Sequence, residues 1–255
     1  PQNVNLIDYR AFTKCNSLEN IKVDTNNRNY MSENGILFSK DKTEIITYPA
    51  GKDDIKVYQI PERITEIGGN AFRGCSSLTN IEIPEEVTSI GNGAFEGCSS
   101  LTNIEIPEEV TIIGNSTFEG CSSLTNIEIP EGVTEIGDHA FEGCNSLISI
   151  NIPKDVTTIK NGTFKDCSSL INIEIPKGLT KIERLAFEGC SSLAKIEIPE
   201  SVTEIEVGTF WGCSSLTNIE IPEGITKIED YAFKGCSSLV NIEISEGVTE
   251  IGDHA

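Results

Sequence analysis

The sequence predicts an α/β solenoid, and three observations lead there. First, a block of 23 residues recurs almost unchanged: IEIPEEVTSIGNGAFEGCSSLTN opens at Ile81, IEIPEEVTIIGNSTFEGCSSLTN at Ile104, and looser copies continue to Ile242. Periods of roughly 20 to 50 residues mark chains in which each unit buries its apolar face only against its neighbours. Second, written in register from Pro61, Pro84, Pro107, Pro130, Pro153, Pro176, Pro199 and Pro222, the columns are either apolar throughout or polar and variable. Third, within each unit a spacing of two gives way to a spacing of three and four.

In the unit from Pro84 to Ile106 the constant apolar positions are Val87, Ile90, Ala94, Phe95, Cys98, Leu101, Ile104 and Ile106, which should fill one layer of core. Ile104 and Ile106 alternate with Asn103 and Glu105, the pattern of a half-buried strand, and β-branched residues favour it. Pro107 ends that strand. Ile90 and Ala94 lie four apart, with Phe95 and Cys98 following at helical spacing, so a short helical or 3₁₀ arm is expected here. Gly97 then supplies the turn back toward Leu101. Stacked units give a parallel sheet on one face and helical arms on the other, a leucine-rich-repeat arrangement. Ten strand positions at about 4.8 Å per rung make a sheet roughly 45 Å long.

The pattern Leu78-Thr-Asn-Ile81-Glu-Ile83 fits that class generally. The fuller unit I-P-x-x-V-T-x-I-G-x-x-A-F-x-x-C-x-S-L resembles the BspA-like family, the treponemal type of leucine-rich repeat, over essentially the whole chain. Ser245 departs from it by replacing the strand-ending proline, and Gly91 becomes Lys160, Glu183, Glu206 or Glu229 in later units, which puts local turns in question. The organisation expected is a single solenoid over 1–255, with eight 23-residue repeats over 61–244. Residues 24–54 break the rhythm, since Val23 and Ile60 share a column yet lie 37 residues apart. Gly35 to Ser39 and Glu44 to Tyr48 read as two strands around Lys40 to Thr43, a β-hairpin replacing one helical arm. The stretch from Tyr30 to Phe38 followed by Tyr48-Pro49 is similar to an insertion seen in the same family. Pro1 falls in the proline column and Ala255 stops one residue short of the expected phenylalanine, so the chain reads as cut inside a repeat at both ends.

Eight of nine cysteines (Cys75, Cys98, Cys121, Cys144, Cys167, Cys190, Cys213 and Cys236) occupy one apolar column. Parallel, inward-aimed side chains match disulfide geometry poorly, so an unbridged thiol ladder is expected. Zinc ligands need a few residues between partners and not a whole repeat, so no metal is expected. Free thiols leave the compartment open. A formal charge of −21 disfavours nucleic acid and anionic membrane. No apolar run reaches membrane-spanning length.

The acidity is placed: Glu82, Glu105, Glu128, Glu174, Glu197, Glu220 and Glu243 share one exposed strand column, beside Asn80, Asn103, Asn126, Asn172, Asn218 and Asn241. A solvated face, a basic protein and calcium are three readings of it. Like charges about 5 Å apart in water repel by only about 0.8 kcal/mol, so solvent alone sustains the column. Calcium needs six to eight converging oxygens, which a flat row does not offer.

If the near-identical units are scaffold, a specific site lies where they differ. Ser149, Asn151, Lys154, Lys177 and Lys195 open a neutral-to-basic window in the acidic surface; drift at solvated positions is the bland alternative. Trp211 stands in a column otherwise held by Arg73, Glu96, Glu119, Glu142, Lys165, Glu188 and Lys234, with Leu185 and Tyr231 on the flanking rungs. Helical spacing would bring those three together, as a binding anchor, a packing contact or neither. His139 and His254 sit in two copies of EGVTEIGDHA and read as repeat-surface residues; no nucleophile, base and orienter converge, so no enzyme and no cofactor are expected. Asn115-Ser-Thr117 and Asn161-Gly-Thr163 match the N-glycosylation pattern.

Composition and spacing support a binding or structural solenoid. The resemblance implies more: a noncatalytic interaction module of a secreted or surface-attached protein, binding host matrix, serum or neighbouring-cell proteins. A passive spacer and an acidic scaffold for a basic protein are the alternatives.

Overall fold

A computed structural model describes all residues, 1–255. The first strands are β1 (Tyr30–Glu33), β2 (Ile36–Ser39) and β3 (Glu44–Thr47), followed by β4 (Val57–Gln59), β5 (Glu66–Ile67), β6 (Asn80–Glu82), β7 (Ser89–Ile90) and β8 (Asn103–Ile104). From β4 onward the repeats build two parallel ladders in hydrogen-bonded segments; the main one narrows to a single bridge at Glu105 and Glu128 and has no strand at residues 195–197. The main ladder runs β4-β6-β8 and continues through Ser149–Asn151, Asn172–Glu174, Asn218–Glu220 and Asn241–Glu243; the second runs β5-β7 and on through pairs such as Glu204–Ile205 with Lys227–Ile228. Register is one repeat throughout, Ile81 opposite Ile104 and Ile67 opposite Ile90, so identical side chains stack on identical side chains.

The eight core positions of the Pro84 to Ile106 unit are all buried, from 0 to 8% exposed. One apolar cluster of 59 residues runs the length of the molecule. Its spine is a column of phenylalanines from Phe72 to Phe233, each ring stacked on the next at 5.4–5.7 Å. Hydrogen-bonded strands stand only about 4.8 Å apart. A pure translation would move both sides of a rung equally, so the longer step on the phenylalanine side means that the stack curves, with the main sheet inside.

The helical arms are not there: the chain has no helix, and the fold is a β-solenoid. Each arm is a chain of turns. Gly93 and Gly97, four residues apart, have φ of 64° and 72°, and equivalent left-handed positions recur at Ser116, Gly120, His139 and Gly143. A right-handed helix cannot run through such residues. Backbone donors instead alternate between the residue three back and the next rung: Cys98 N–H bonds the Phe95 carbonyl at 3.1 Å, while Phe95 N–H reaches Thr117 and Gly97 N–H reaches Glu119, at 3.0 and 2.7 Å. The three-and-four spacing of Ile90, Ala94, Phe95 and Cys98 comes from successive turns returning side chains to the core. Ile90 belongs to the second ladder, which that helical reading hid.

Residues 30–47 form an antiparallel meander, one strand more than the expected pair: β1 pairs β2 through Asn34 and Gly35, β2 pairs β3, and β3 then lies parallel to β5. Asn34 and Gly35 both take positive φ, 50° and 79°, the geometry that Asn-Gly favours in a two-residue hairpin. That dipeptide was the available signal for β1. Strand β3 extends the second ladder with Glu44 opposite Glu66, so the insertion adds a rung edge to the solenoid.

All nine cysteines are free. In the ladder each thiol donates to an aromatic residue's carbonyl on the preceding rung, Cys75 to Tyr48 and the other seven to phenylalanines, as Cys144 does to Phe118 at 3.2 Å. Burial pushes these thiols up, Cys121 to about 12 and the half-buried Cys236 to about 11. Native protein should therefore give one fast equivalent with a thiol reagent, from exposed Cys15, with Cys236 slower and the rest reacting only on unfolding. Several fast equivalents in unheated protein would contradict a closed core.

Candidate acidic groove

On the concave face, side chains at alternate strand positions point outward. Asn80 and Glu82 flank the buried Ile81, and Asn103 and Glu105 flank the buried Ile104. Curvature turns this face into two adjoining hollows of about 640 and 690 Å³ that share Asn103 and Glu105. Glu82, Glu85, Glu86 and Glu62 line the first, Glu108, Glu128 and Glu131 the second, and no lysine, arginine or histidine lines either. Eight carboxylates thus face one continuous trough from Gln59 to Asn151. None of the eight is in an ion pair; within the strand column, Glu197 outside the trough is the one that finds a cation, Lys195 at 2.7 Å. The amides are similarly free: in their column only Asn218 bonds internally, to Thr217 at 3.4 Å. Glu62, Glu85, Glu108 and Glu131, just after the strand-ending proline, and Glu86 beside them were missed by attention to the strand column alone. Their shared place after proline was the signal.

Of the expected basic window, Ser149 and Asn151 line the trough's far end. Lys154 and Lys177 stand exposed on post-proline turns closed by Val156 N–H on Pro153 and Leu179 N–H on Pro176, in the column that holds Glu85, Glu108 and Glu131 in the trough. Lys195 is held by Glu197, which raises the lysine and lowers the carboxylate. The window is thus two free lysines on neighbouring rungs.

The second cluster lies on the arms. Trp211, 37% exposed, stacks on Tyr231 with centroids 5.6 Å apart, and Tyr231 stacks on His254 at 5.5 Å. Lys234 Nζ sits 4.7 Å from both the Trp211 and Tyr231 rings, a contact the sequence reading lacked. Leu185 lies over Gly208, where an added Cβ would come within 2.7 Å of Leu185 Cδ2 and 3.6 Å of the Trp211 ring. Rung stacking brings Leu185, Trp211 and Tyr231 together, in place of the helix that was expected. Leu185 and Tyr231 themselves take φ near 58–59°.

His139 bonds Glu142 through Nδ1 at 2.6 Å and Asn161 through Nε2 at 3.0 Å. Thr117 and Thr163 are fully buried and donate to the Gly114 and Lys160 carbonyls. The two Asn-x-Thr strings therefore have a structural origin in a buried threonine column, and a glycan on Asn161 would displace its contact with His139. No three His, Cys, Asp or Glu side chains converge as metal ligands would, because the trough's carboxylates are spread along the stack. No helix is long and apolar enough to cross a membrane.

A curved stack of 23-residue rungs presenting an open parallel-sheet face defines a leucine-rich-repeat interaction module. The chain belongs to the BspA-type leucine-rich-repeat family, whose model matches in six copies over residues 1–59, 50–171 and 157–255. Among solved structures it is similar to a leucine-rich repeat protein from Eubacterium ventriosum, at 30% identity over 89% of this chain and 55% of that one, with a TM-score of 0.60. It is also similar to the Treponema pallidum protein TpLRR, at 27% identity over 81% of this chain and 87% of that one, TM-score 0.55. The pneumococcal vaccine antigen PcpA shares the fold at 21% identity, covering 92% of this chain and 50% of that one, TM-score 0.52. The chain spans just over half the length of the Eubacterium protein. Comparison with curated proteins finds no match.

Proposed function

We propose that this chain is the noncatalytic protein-interaction module of a secreted or cell-surface protein, and that it adheres to host or neighbouring-cell proteins through the acidic half of its concave face. The observation behind this is the trough itself, with eight carboxylates and no cation of the chain to neutralise them. Such a surface attracts a basic partner and steers its approach. The family supports the protein-binding part, and PcpA is described as a vaccine antigen, which fits a surface location for that protein.

The test is capture of extracellular-matrix and serum proteins on the immobilised chain at low and high salt, beside a Glu82→Gln, Glu105→Gln, Glu128→Gln triple variant. All three positions are exposed, so the variant should fold normally. Capture of a basic partner should weaken at high salt and fall about tenfold or more in the variant. Capture that the variant leaves unchanged would move the site to the Lys154, Lys177 or Trp211 regions, and no capture under any condition would favour a passive spacer.

A further inference from the structure

We infer that the trough receives a cationic segment in the polyproline II conformation, with lysine or arginine at every third residue. The inference rests on the reading of the acidic face as the binding surface, and adds which backbone shape that face fits.

Spacing is the first reason. Successive strands pair in register, Asn80 with Asn103 and Glu105 with Glu128, so Glu82, Glu105 and Glu128 repeat at one rung, about 4.8 Å. A polyproline II helix returns to the same face every third residue, about 9.3 Å, against about 9.6 Å for two rungs. Concave curvature shortens the second figure on the inner face and narrows the gap. An extended strand repeats its face at about 6.7 Å, which falls between one rung and two. An α-helix repeats every seven residues at about 10.5 Å, a mismatch that grows along the trough.

Hydrogen-bond chemistry is the second reason, and it is independent of spacing. Polyproline II has no internal hydrogen bonds, and each proline removes an N–H, so the segment offers mainly carbonyl acceptors. The trough pairs its carboxylate column with a column of free amides, Asn80, Asn103 and Asn126, whose Nδ2 groups donate. Carbonyls suit the amides and side-chain cations suit the carboxylates. No aromatic ring lines the trough, so charge and backbone shape are what it reads.

The experiment titrates the full chain with three labelled peptides of equal charge: four copies of Lys-Pro-Pro, four copies of Lys-Gly-Gly, and two copies of Lys-Lys-Pro-Pro-Pro-Pro. Lys-Pro-Pro should bind about tenfold tighter than the flexible peptide, because its backbone is already ordered, and tighter than the peptide of equal proline content and broken period. The Glu82→Gln, Glu105→Gln, Glu128→Gln variant should lose that preference. Equal affinity for all three peptides, still reduced by the variant, would overturn the polyproline II inference and leave the acidic face intact. Binding that the triple variant does not alter would overturn both.

Discussion

Phe141→Ala is expected to lower the unfolding free energy by about 3–5 kcal/mol, with a fall in melting temperature on the order of 10 °C. Phe141 is fully buried, and its ring is stacked at 5.4 Å on Phe118 and 5.6 Å on Phe164. Removing it opens a cavity between rungs whose spacing is fixed by backbone bonds on both sides, so neighbours cannot close over the gap. Phe233, 9% exposed, has a stacked partner in Phe210 and is the internal control, with a smaller cost for the same substitution. Urea unfolding of the two variants measures the difference. A loss below about 1 kcal/mol at Phe141 would mean that the stack contributes little to coupling between rungs.

Gly137→Ala should cost about 1–3 kcal/mol even though it adds one methyl group. A Cβ there would lie 2.5 Å from Asn115 N and 2.6 Å from Gly114 C, both main-chain atoms of the preceding rung. The same column holds Glu183 and Glu206 in later rungs, and the structure explains why they are tolerated. In the earlier rungs the side-chain oxygens of Asn92 and Asn115 accept the N–H of Asn115 and Asp138, at 2.8 and 2.9 Å, and the following rung must pass close over that asparagine. In the later rungs the Glu183 and Glu206 carboxylates reach back to Asn161 N–H and Arg184 N–H, at 3.1 and 2.9 Å. One orphan donor is satisfied in two ways, and the first leaves room only for glycine; Gly91 passes as close to the preceding rung, an added Cβ lying 2.5 Å from Gly69 N, with no asparagine there. Asp230 with Gly252 repeats the first arrangement, with Asp253 N–H as the donor. Glu183→Ala, which loses a part-exposed bond and meets no backbone collision, should be the milder variant in the same melting experiment. Equal losses would show that close backbone approach is not what fixes Gly137.

The inward columns were legible because each is apolar in every repeat, and the main strand because Ile104 and Ile106 alternate with polar neighbours. The carboxylate column of the groove was legible for the same reason, as Glu82, Glu105 and Glu128 stand outward between isoleucines. The arms were misread as helical because a run of turns and a helix both return every third or fourth residue to one side. Lys234 over Trp211, and His254 on Tyr231, join residues of different rungs that no local pattern connects.

By itself the sequence determined the rung length, the side of the chain that each residue faces, and the class of fold, since these follow from periodicity and from the cost of burying polar groups. Only the tertiary structure decided the path of the arms, the second ladder, the curvature and hence the trough. Each of these depends on backbone groups bonding to a rung 22 or 23 residues away, as Phe95 does to Thr117 and Thr88 to Thr65, and the geometry of that step is not written in any one repeat.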